Sequence, residues 1–175
     1  MRSSNAYYGS MRMVDVTGKE RTVRVATADG YVQTTAQVID LIAGNETPKG
    51  DVLAAARLAA IMAVKRTPDL IPLCHPISIG GVDVDVTASG DRVSLRVLAQ
   101  TTDRTGVEME ALTAVCAAGL TVIDMIKGVD PDASVAEVRV LTKTGGKTGD
   151  WSRSEGRGRL RSLTCLGCES SRSRA

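Results

Sequence analysis

The chain has no phenylalanine, one tryptophan and three tyrosines among its 175 residues. A core without aromatic rings is built from Val, Ile, Leu and Ala, which bury less apolar area per residue. We therefore expect additional burial between subunits of a homo-oligomer. The same scarcity argues against an RNA-recognition sheet, because such sheets stack bases on aromatic side chains.

Cysteines and long apolar segments are also scarce. The four cysteines lack the spacing of a disulfide framework, which is typical of a reducing cytoplasm. No uninterrupted run of about 18 apolar residues occurs, and the N-terminus lacks a signal-peptide-like stretch. We expect a cytoplasmic protein with no membrane partner.

The net charge of +2 is unevenly distributed along the chain. Residues 152–175 hold six arginines and two acids, whereas residues 1–151 hold sixteen basic and eighteen acidic residues. The Arg/Ser-rich segment 152–175 has no core pattern and is predicted to be a disordered tail. Residues 1–12 are predicted to be a mobile N-terminal segment, which leaves 13–151 as a single domain.

Hydrophobic periodicity predicts an α+β fold. Alternation indicates strands, and three- and four-residue spacing indicates helices. The predicted elements are an edge strand at 13–16, a strand with a turn or bulge near Asp29-Gly30 at 22–34, helices at 35–43 and 51–66, an irregular loop at 67–76, hairpin strands at 77–88 and 92–102, a long helix and a last strand at 134–141. This order predicts a ferredoxin-like βαββαβ domain, an antiparallel sheet with helices packed on one face.

The long helix is predicted to run from Thr105 to Gly128. Its periodicity predicts a buried stripe of Leu112, Val115, Cys116, Leu120 and Ile123. Thr105 and Glu108 fit a capping box, in which each side chain pairs with a free amide at the helix start. Gly128 is a suitable end.

Asp124 lies four residues before this predicted end, where the helix dipole disfavours a carboxylate. Its apolar neighbours add a desolvation cost, so we expect its pKa to be raised. Lys127 lies on the same side of the helix, and pairing with it would lower the pKa. Such a balance is typical of general acid–base groups, although a surface salt bridge is the simpler explanation of the pair taken alone.

Three lysines are candidate anion ligands. Lys49 precedes the second helix, whose free amides and dipole favour anions. Lys143 and Lys147 belong to the glycine loop at 143–150, whose amides and ammonium groups could bind phosphate. The first glycine of a nucleotide-binding P-loop is replaced by Leu141 and no helix follows, so that motif is rejected.

His75 is the single histidine, and it lies in a loop stiffened by three prolines. A nucleophilic pair with Cys74 is disfavoured, because adjacent side chains in an extended segment point apart. The cysteine spacing lacks the paired pattern of a zinc site, so no metal site is expected. Glu108 has a structural role as the acid of the capping box. Glu110 has only the weaker role of a first-turn partner of the helix dipole, so it is the better functional candidate.

Four stretches of the sequence resemble the cyclic pyranopterin monophosphate synthase (MoaC) family. They are MVDV (13–16), KGDVLAAARLAAIMAVKRTPDLIPLCHP (49–76), RTGVEMEALTAVCAAGLTVIDMIKGVD (104–130) and KTGGKTGD (143–150). The resemblance implies a ferredoxin-like subunit and a homohexamer built as a trimer of dimers, with active sites at subunit interfaces. The segment before MVDV and the Arg/Ser-rich tail depart from the family pattern.

The resemblance also implies a lyase of molybdenum cofactor biosynthesis. Its reaction converts a cyclised dihydro-GTP, 3',8-cyclo-7,8-dihydro-GTP, into cyclic pyranopterin monophosphate and releases pyrophosphate. By motif, Asp124 matches the catalytic acid–base residue and Lys127 its partner. The matching substrate-binding positions are Leu73, Cys74, His75, Met109, Glu110, Lys49, Arg24, Lys143 and Lys147. No cofactor is required, although Mg²⁺ could accompany the triphosphate.

Two other classes of function remain open from the sequence. One is an RNA-binding ferredoxin-like module, which the Arg-rich tail favours and the lack of aromatic residues disfavours, so that no nucleic acid partner is expected. The other is a non-catalytic oligomeric scaffold, for which a substitution of Asp124 would be harmless.

Overall fold

The computed structural model describes residues 11–147 and 149–154 of the chain. The strands are β1 (Thr22–Gln33), β2 (Ile79–Ser89), β3 (Arg92–Asp103), β4 (Ser134–Thr144) and β5 (Trp151–Ser152). The helices are α1 (Ala36–Ala43), α2 (Val52–Val64), the single turn α3 (Thr67–Leu70) and α4 (Glu108–Ile126). Apart from α3, β5 and the edge strand expected at 13–16, this order is the one that the hydrophobic periodicity predicts.

The strands form one antiparallel sheet in the order β2-β3-β1-β4-β5. Alternation along β1 places Ala26, Ala28 and Val32 in the core and directs Thr27 and Asp29 to the opposite face. Helices α2 and α4 cover the core face of the sheet. The predicted ferredoxin-like α+β fold is confirmed, with β5 as an additional edge strand.

The predicted irregularity near Asp29-Gly30 occurs in the pairing of β1 with β4. Asp29 pairs with Arg139 and Tyr31 pairs with Ala136, so two steps along β1 correspond to three steps along β4. The additional residue of the bulge therefore belongs to β4. Glu137 lies there with a φ of 52°. The bulge redirects the β4 side chains next to the centre of the sheet.

Helices α1 and α2 begin as the sequence predicts. The Thr35 hydroxyl accepts the Val38 amide, and the Asp51 carboxylate accepts the Ala54 amide at 2.9 Å. Lys49 and Gly50 therefore lie immediately before α2. The alanines of α2 that face α4 and the sheet are fully buried, among them Ala56 and Ala60.

The predicted buried stripe of α4 is partly wrong. Val115 is buried, but Leu120 is 64% exposed and Cys116 is also exposed. Alanines and a glycine face the sheet instead, because they allow close approach: a Cβ added at Gly119 would lie 2.9 Å from the Val135 side chain. Helix α4 thus turns a strip of larger apolar residues outward.

Several predicted boundaries also differ from the structure. Residues 13–16 form no strand, because they do not pair with a sheet edge. Pro68 in the first turn is compatible with the short helix α3, where only a loop was expected. Strand β4 extends to Thr144, which places Lys143 on a strand rather than in the glycine loop. The predictions for residues 1–10 and 155–175 lie outside the described residues.

Helix α4 has the length and the mean hydropathy, 1.6, of a helix that could cross a membrane. In this fold it packs along β1, β3 and β4 and buries Ala111, Ala114 and Val122. Those properties are explained by its position in the core of the domain.

Candidate active site

Asp124, Lys127 and Lys49 form a compact group at the C-terminal end of α4, here called the acid–lysine cluster. The Lys127 ammonium group lies 2.7 Å from Asp124 Oδ1, and the Lys49 ammonium group donates to Oδ2 at 2.6 Å. Lys49 reaches the carboxylate from the turn before α2, which packs beside α4. All three side chains are about half exposed, so the cluster is open to a ligand.

The expectation of a raised pKa for Asp124 is wrong. Hydrogen bonds from Lys127 and then Lys49 lower the pKa of Asp124 from 3.8 to about 2. The carboxylate points away from the core, so the desolvation that was expected is small. Asp124 is therefore an ionised carboxylate, held between two cations.

Cys74 and Glu110 meet at the opposite end of α4 and form what we call the buried glutamate pair. The Cys74 thiol donates to Glu110 Oε1 at 3.4 Å, and Glu110 is only 1% exposed. Its Oε2 is buried and has no hydrogen-bond partner within the described residues. An unpaired buried carboxyl oxygen is a strong candidate to bind a ligand.

Burial determines the protonation of both groups. It raises the pKa of Glu110, and it raises the pKa of Cys74 to about 11 together with the negative charge of Glu110. A thiol with this pKa remains protonated near neutrality and is a hydrogen-bond donor rather than a nucleophile. The rejection of a Cys74–His75 nucleophilic pair is consistent with this result.

Leu73, His75 and Met109 are the sequence neighbours of this pair. The His75 ring donates from Nε2 to the Val14 carbonyl oxygen at 2.8 Å, which ties the N-terminal segment to the proline-rich loop. Leu73 is 48% exposed and Met109 is 38% exposed. Leu73 and Met109, which adjoin the pair in the sequence, thus expose apolar side chains, of the kind that commonly line small-molecule sites.

Arg24, Lys143, Glu108 and Gly145 line a cavity of about 170 Å³, which we call the basic loop cluster. Arg24 Nε donates to the Asp103 carbonyl at 3.0 Å and Nη2 to the Arg104 carbonyl at 3.2 Å, so the guanidinium group is fixed. The Lys143 ammonium group lies 3.2 Å from Glu108 Oε1. The Gly145 amide donates to Asp150 at 3.1 Å, so two carboxylates already occupy this cationic site.

The sequence did not predict the roles of Glu108, Asp150 and Arg104. Glu108 forms no capping box with Thr105, because α4 begins at Glu108 and the cap position is Val107, without a side-chain cap. Arg104 has a buried Nε that lacks a partner within the described residues. Lys147 is exposed in the glycine loop. No periodicity indicates such pairs, because they join separate elements.

The structure separates the predicted site residues into two regions. Glu110 is in the first turn of α4 and Asp124 is in the last, so the helical rise places them about 21 Å apart along the axis. Lys49 accompanies Asp124 and lies far from Arg24 and Lys143, which are near the start of α4. Within residues 11–147 and 149–154 no group of three or more His, Cys, Asp and Glu side chains could hold a metal ion.

Comparison with known proteins gives one consistent result. A family model described as the MoaC family matches residues 13–146. A protein from Streptomyces avermitilis named cyclic pyranopterin monophosphate synthase is 59% identical over 146 residues, which cover 83% of this chain and 86% of the relative.

Two further relatives carry the same name. The protein from Streptomyces coelicolor is 58% identical over 146 residues, with 83% of this chain and 86% of the relative covered. The protein from a Nocardioides species is 59% identical over 148 residues, with 83% and 91% covered. The similarity spans the folded domain and all three clusters, and this chain therefore belongs to the MoaC family.

Proposed function

We propose that this chain is a cyclic pyranopterin monophosphate synthase, a lyase of molybdenum cofactor biosynthesis. Its substrate is 3',8-cyclo-7,8-dihydro-GTP, and its products are cyclic pyranopterin monophosphate and pyrophosphate. The observation that carries the proposal is the Asp124 carboxylate held between Lys127 and Lys49 on an open surface. That arrangement combines a proton acceptor with two cations that an anionic nucleotide would attract.

Proton transfer by Asp124 follows from its ion pairs. In the free chain its pKa of about 2 makes it an ionised but weak base. When phosphate oxygens draw Lys49 and Lys127 towards themselves, the carboxylate loses its stabilising partners and its pKa rises. Substrate binding would then convert Asp124 into a group that accepts a proton in one step and returns it in a later step.

The heterocycle of the substrate is assigned to the buried glutamate pair. Burial favours the protonated form of Glu110, which can offer both a donor and an acceptor to a purine or pterin edge. The Cys74 thiol fixes Oε1 and leaves Oε2 for the ligand. Leu73, Met109 and His75 would flank the ring.

The triphosphate is assigned to the basic loop cluster. Arg24 is preorganised by two backbone carbonyls, and Lys143 would exchange Glu108 for phosphate oxygens. The positive φ values of Gly145 and Gly146, 83° and 82°, let the loop backbone lie close to Arg24. Lys147 adds a further cation, and the leaving pyrophosphate is stabilised by the same groups.

The reaction requires no net oxidation or reduction, because the two products together contain the atoms of the substrate. Ring opening and reclosure require only proton movements at several atoms, which Asp124 and its lysines can carry out without a redox cofactor. A Mg²⁺ ion could accompany the triphosphate as part of the substrate.

We assign the complete active site to two subunits. A nucleotide triphosphate cannot contact the acid–lysine cluster and the buried glutamate pair of one chain along about 21 Å of helix. If two copies of α4 pack antiparallel about a two-fold axis near Ala117, Asp124 of one copy faces Glu110 of the other. Exposed Leu120 and Cys116 lie beside that axis and supply apolar surface for the contact.

This pairing gives a dimer with two shared sites. Three such dimers would give the homohexamer that the family resemblance implies, in the cytoplasm. The exposed Leu58 and Met62 of α2 offer further apolar surface for subunit contacts.

The direct test supplies the cyclised nucleotide to the purified protein. Product formation is followed by release of pyrophosphate and by mass spectrometry of the pterin, with Asp124→Ala as the control. We expect both products from the wild-type chain and almost none from the variant. Absence of turnover by the folded wild-type oligomer would contradict the proposed function.

A further inference from the structure

A buried hydrogen bond joins the end of β1 to the loop that follows α4. The Thr34 hydroxyl donates to Asp130 Oδ2 at 2.6 Å, although the two residues are 96 positions apart in the sequence. Both residues are only 8% exposed. The second oxygen of Asp130 accepts the Asp132 amide at 3.1 Å, so the whole carboxylate is paired. We call the contact between Thr34 and Asp130 the β1–α4 tie.

The tie is anchored on the side of the sheet. The Thr34 amide donates to the Asp91 carbonyl oxygen at 2.9 Å, in the turn between β2 and β3. The Gln33 side-chain amide donates to the same carbonyl oxygen at 2.9 Å. The next residue, Thr35, caps helix α1 with its hydroxyl. Thr34 is therefore held from both sides, and its hydroxyl has a fixed position.

Lys127 lies between two fixed points of the backbone. Before it, the last turn of α4 is closed by its own amide, which donates to the Ile123 carbonyl oxygen at 2.8 Å. After it, the Asp130 amide donates to the Ile126 carbonyl oxygen at 3.0 Å, and the Asp130 side chain enters the tie. Helix ends fray where no tertiary contact holds them. Since Lys127 and Asp124 are themselves exposed, the tie holds the segment directly after them.

Stability alone gives a weak reason for a buried carboxylate here. A buried polar pair adds little over an apolar pair of the same shape, because both partners lose their hydration. A hydrogen bond does fix direction and distance, which apolar packing does less sharply. Among the described residues the buried acids are Glu110 and Asp130, and they lie at opposite ends of α4. A role in orienting the end of the helix explains the second of them.

We propose that Thr34 and Asp130 are positioning residues for the acid–lysine cluster. The tie fixes the point at which the chain leaves α4, and it thereby keeps the Lys127 ammonium group at 2.7 Å from Asp124 Oδ1. Neither residue of the tie touches the substrate, because both are buried. The geometric part concerns the cluster alone, whereas its consequence for catalysis rests on the proposed function.

Three substitutions at buried hydroxyls test the proposal in the full chain. Thr34→Val removes the hydroxyl and keeps the branched shape, and Thr34→Ser keeps the hydroxyl. Thr67→Val is the matched control, because the fully buried Thr67 hydroxyl donates to the Ala63 carbonyl oxygen at 3.1 Å. Thr67 follows the end of α2, whereas Lys49 precedes its start. The control therefore removes a similar hydrogen bond at a distance from the cluster.

Carboxyl NMR titration measures the geometry of the cluster without any substrate. In the wild type, hydrogen bonds from Lys127 and then from Lys49 lower the pKa of Asp124 from 3.8 to about 2. We expect Thr34→Val to move this pKa up towards 3.8, because a frayed helix end withdraws the Lys127 ammonium group. Thr34→Ser and Thr67→Val should leave it at the wild-type value.

Kinetics with the cyclised nucleotide measure the catalytic consequence. Thr34→Val should lower kcat by about fivefold or more, since small displacements of a catalytic group are costly, and should change KM by less than about twofold. Thr34→Ser should restore the wild-type kcat. In an Asp130→Ala background Thr34→Val should have little further effect, because that background already lacks the tie.

The pKa decides the positioning role. An unchanged Asp124 pKa in folded Thr34→Val would overturn the proposal, as would an equal rise of the pKa in Thr67→Val. A raised pKa with a wild-type kcat would contradict the catalytic consequence. If the wild-type chain forms no product while Thr34→Val still raises the pKa, the proposed function fails and the positioning role stands.

Discussion

Glu110 and Asp124 lie on one helix, fourteen residues apart, and the helical rise separates them by about 21 Å. The two residues lie in different environments: Glu110 is buried beside the Cys74 thiol, and Asp124 is exposed between two lysines. The first environment favours a neutral acid and the second favours a carboxylate. Under the proposed function the two acids serve one reaction, which requires another subunit to bring them together.

Removal of the Asp124 carboxylate should abolish catalysis without unfolding the chain. We expect Asp124→Ala and Asp124→Asn to lower kcat by about 10²–10⁴-fold, which is the usual contribution of a positioned acid–base group. The melting temperature should change little, because the carboxylate is half exposed. Asp40→Ala, an exposed aspartate on α1, serves as the matched control. Wild-type turnover by Asp124→Asn would remove Asp124 from the mechanism.

Loss of either lysine should raise the pKa of Asp124. In the wild type the pKa is about 2, so the stabilising effect of the ion pairs is complete above the ordinary value of 3.8 and is lost as the pH falls towards 2. We expect Lys127→Ala to move the pKa up towards 3.8, and Lys49→Ala to do the same to a smaller extent. Carboxyl NMR titration measures this shift. An unchanged pKa in both variants would show that the ion pairs do not form in solution.

The stability gained by Glu110→Gln should increase with pH. Burial raises the pKa of Glu110, so its protonated form stabilises the fold below the ordinary pKa and that contribution is lost as the pH rises through the folded value. Glutamine carries no such ionisation. The difference in melting temperature between Glu110→Gln and wild type should thus be more positive at about pH 8 than at about pH 4. Calorimetry at both pH values checks this, and a difference independent of pH would contradict a buried acid.

Gly145 should be far less replaceable than Gly149. Both have positive φ values, 83° and 69°, so alanine at either position costs about 1–2 kcal/mol. A Cβ at Gly145 would also clash with the Val23 carbonyl oxygen, whereas nothing lies within 4 Å of one at Gly149. We expect Gly145→Ala to raise KM by about tenfold or more by displacing the loop that is proposed to bind phosphate. Equal KM values for the two variants would argue against that loop as a substrate contact.

The fold was largely predictable because its elements have strong local signals. Thr35 and Asp51 mark helix starts, and alternation along β1 marks its two faces. The orientation of α4 was not predictable in the same way. Its large apolar residues suggest the buried stripe, but close packing on the sheet selects the small ones, and Leu120 is left outside.

The sequence supplies candidate residues for the site but not the way in which they are arranged. The motifs indicate Asp124 and Glu110, yet neither periodicity nor spacing shows that Lys49 reaches Asp124 from the turn before α2. The expectation of a raised pKa for Asp124 was wrong because hydrogen bonds from Lys127 and then from Lys49 outweigh a small desolvation, and Lys49 comes from a distant part of the sequence. Long-range pairs such as Lys143 with Glu108 depend on the tertiary fold alone.

A subunit-complementation assay tests the shared active site most directly. Asp124→Ala and Glu110→Gln chains are inactive separately, and we mix them by unfolding and refolding together. If each site takes Asp124 from one subunit and Glu110 from the other, half of the dimers are mixed and each has one intact site, so activity should recover to about a quarter of wild type. Recovery to that level supports a site built across two subunits. Activity that stays at the level of the separate variants, with mixed dimers shown by mass spectrometry, would contradict it.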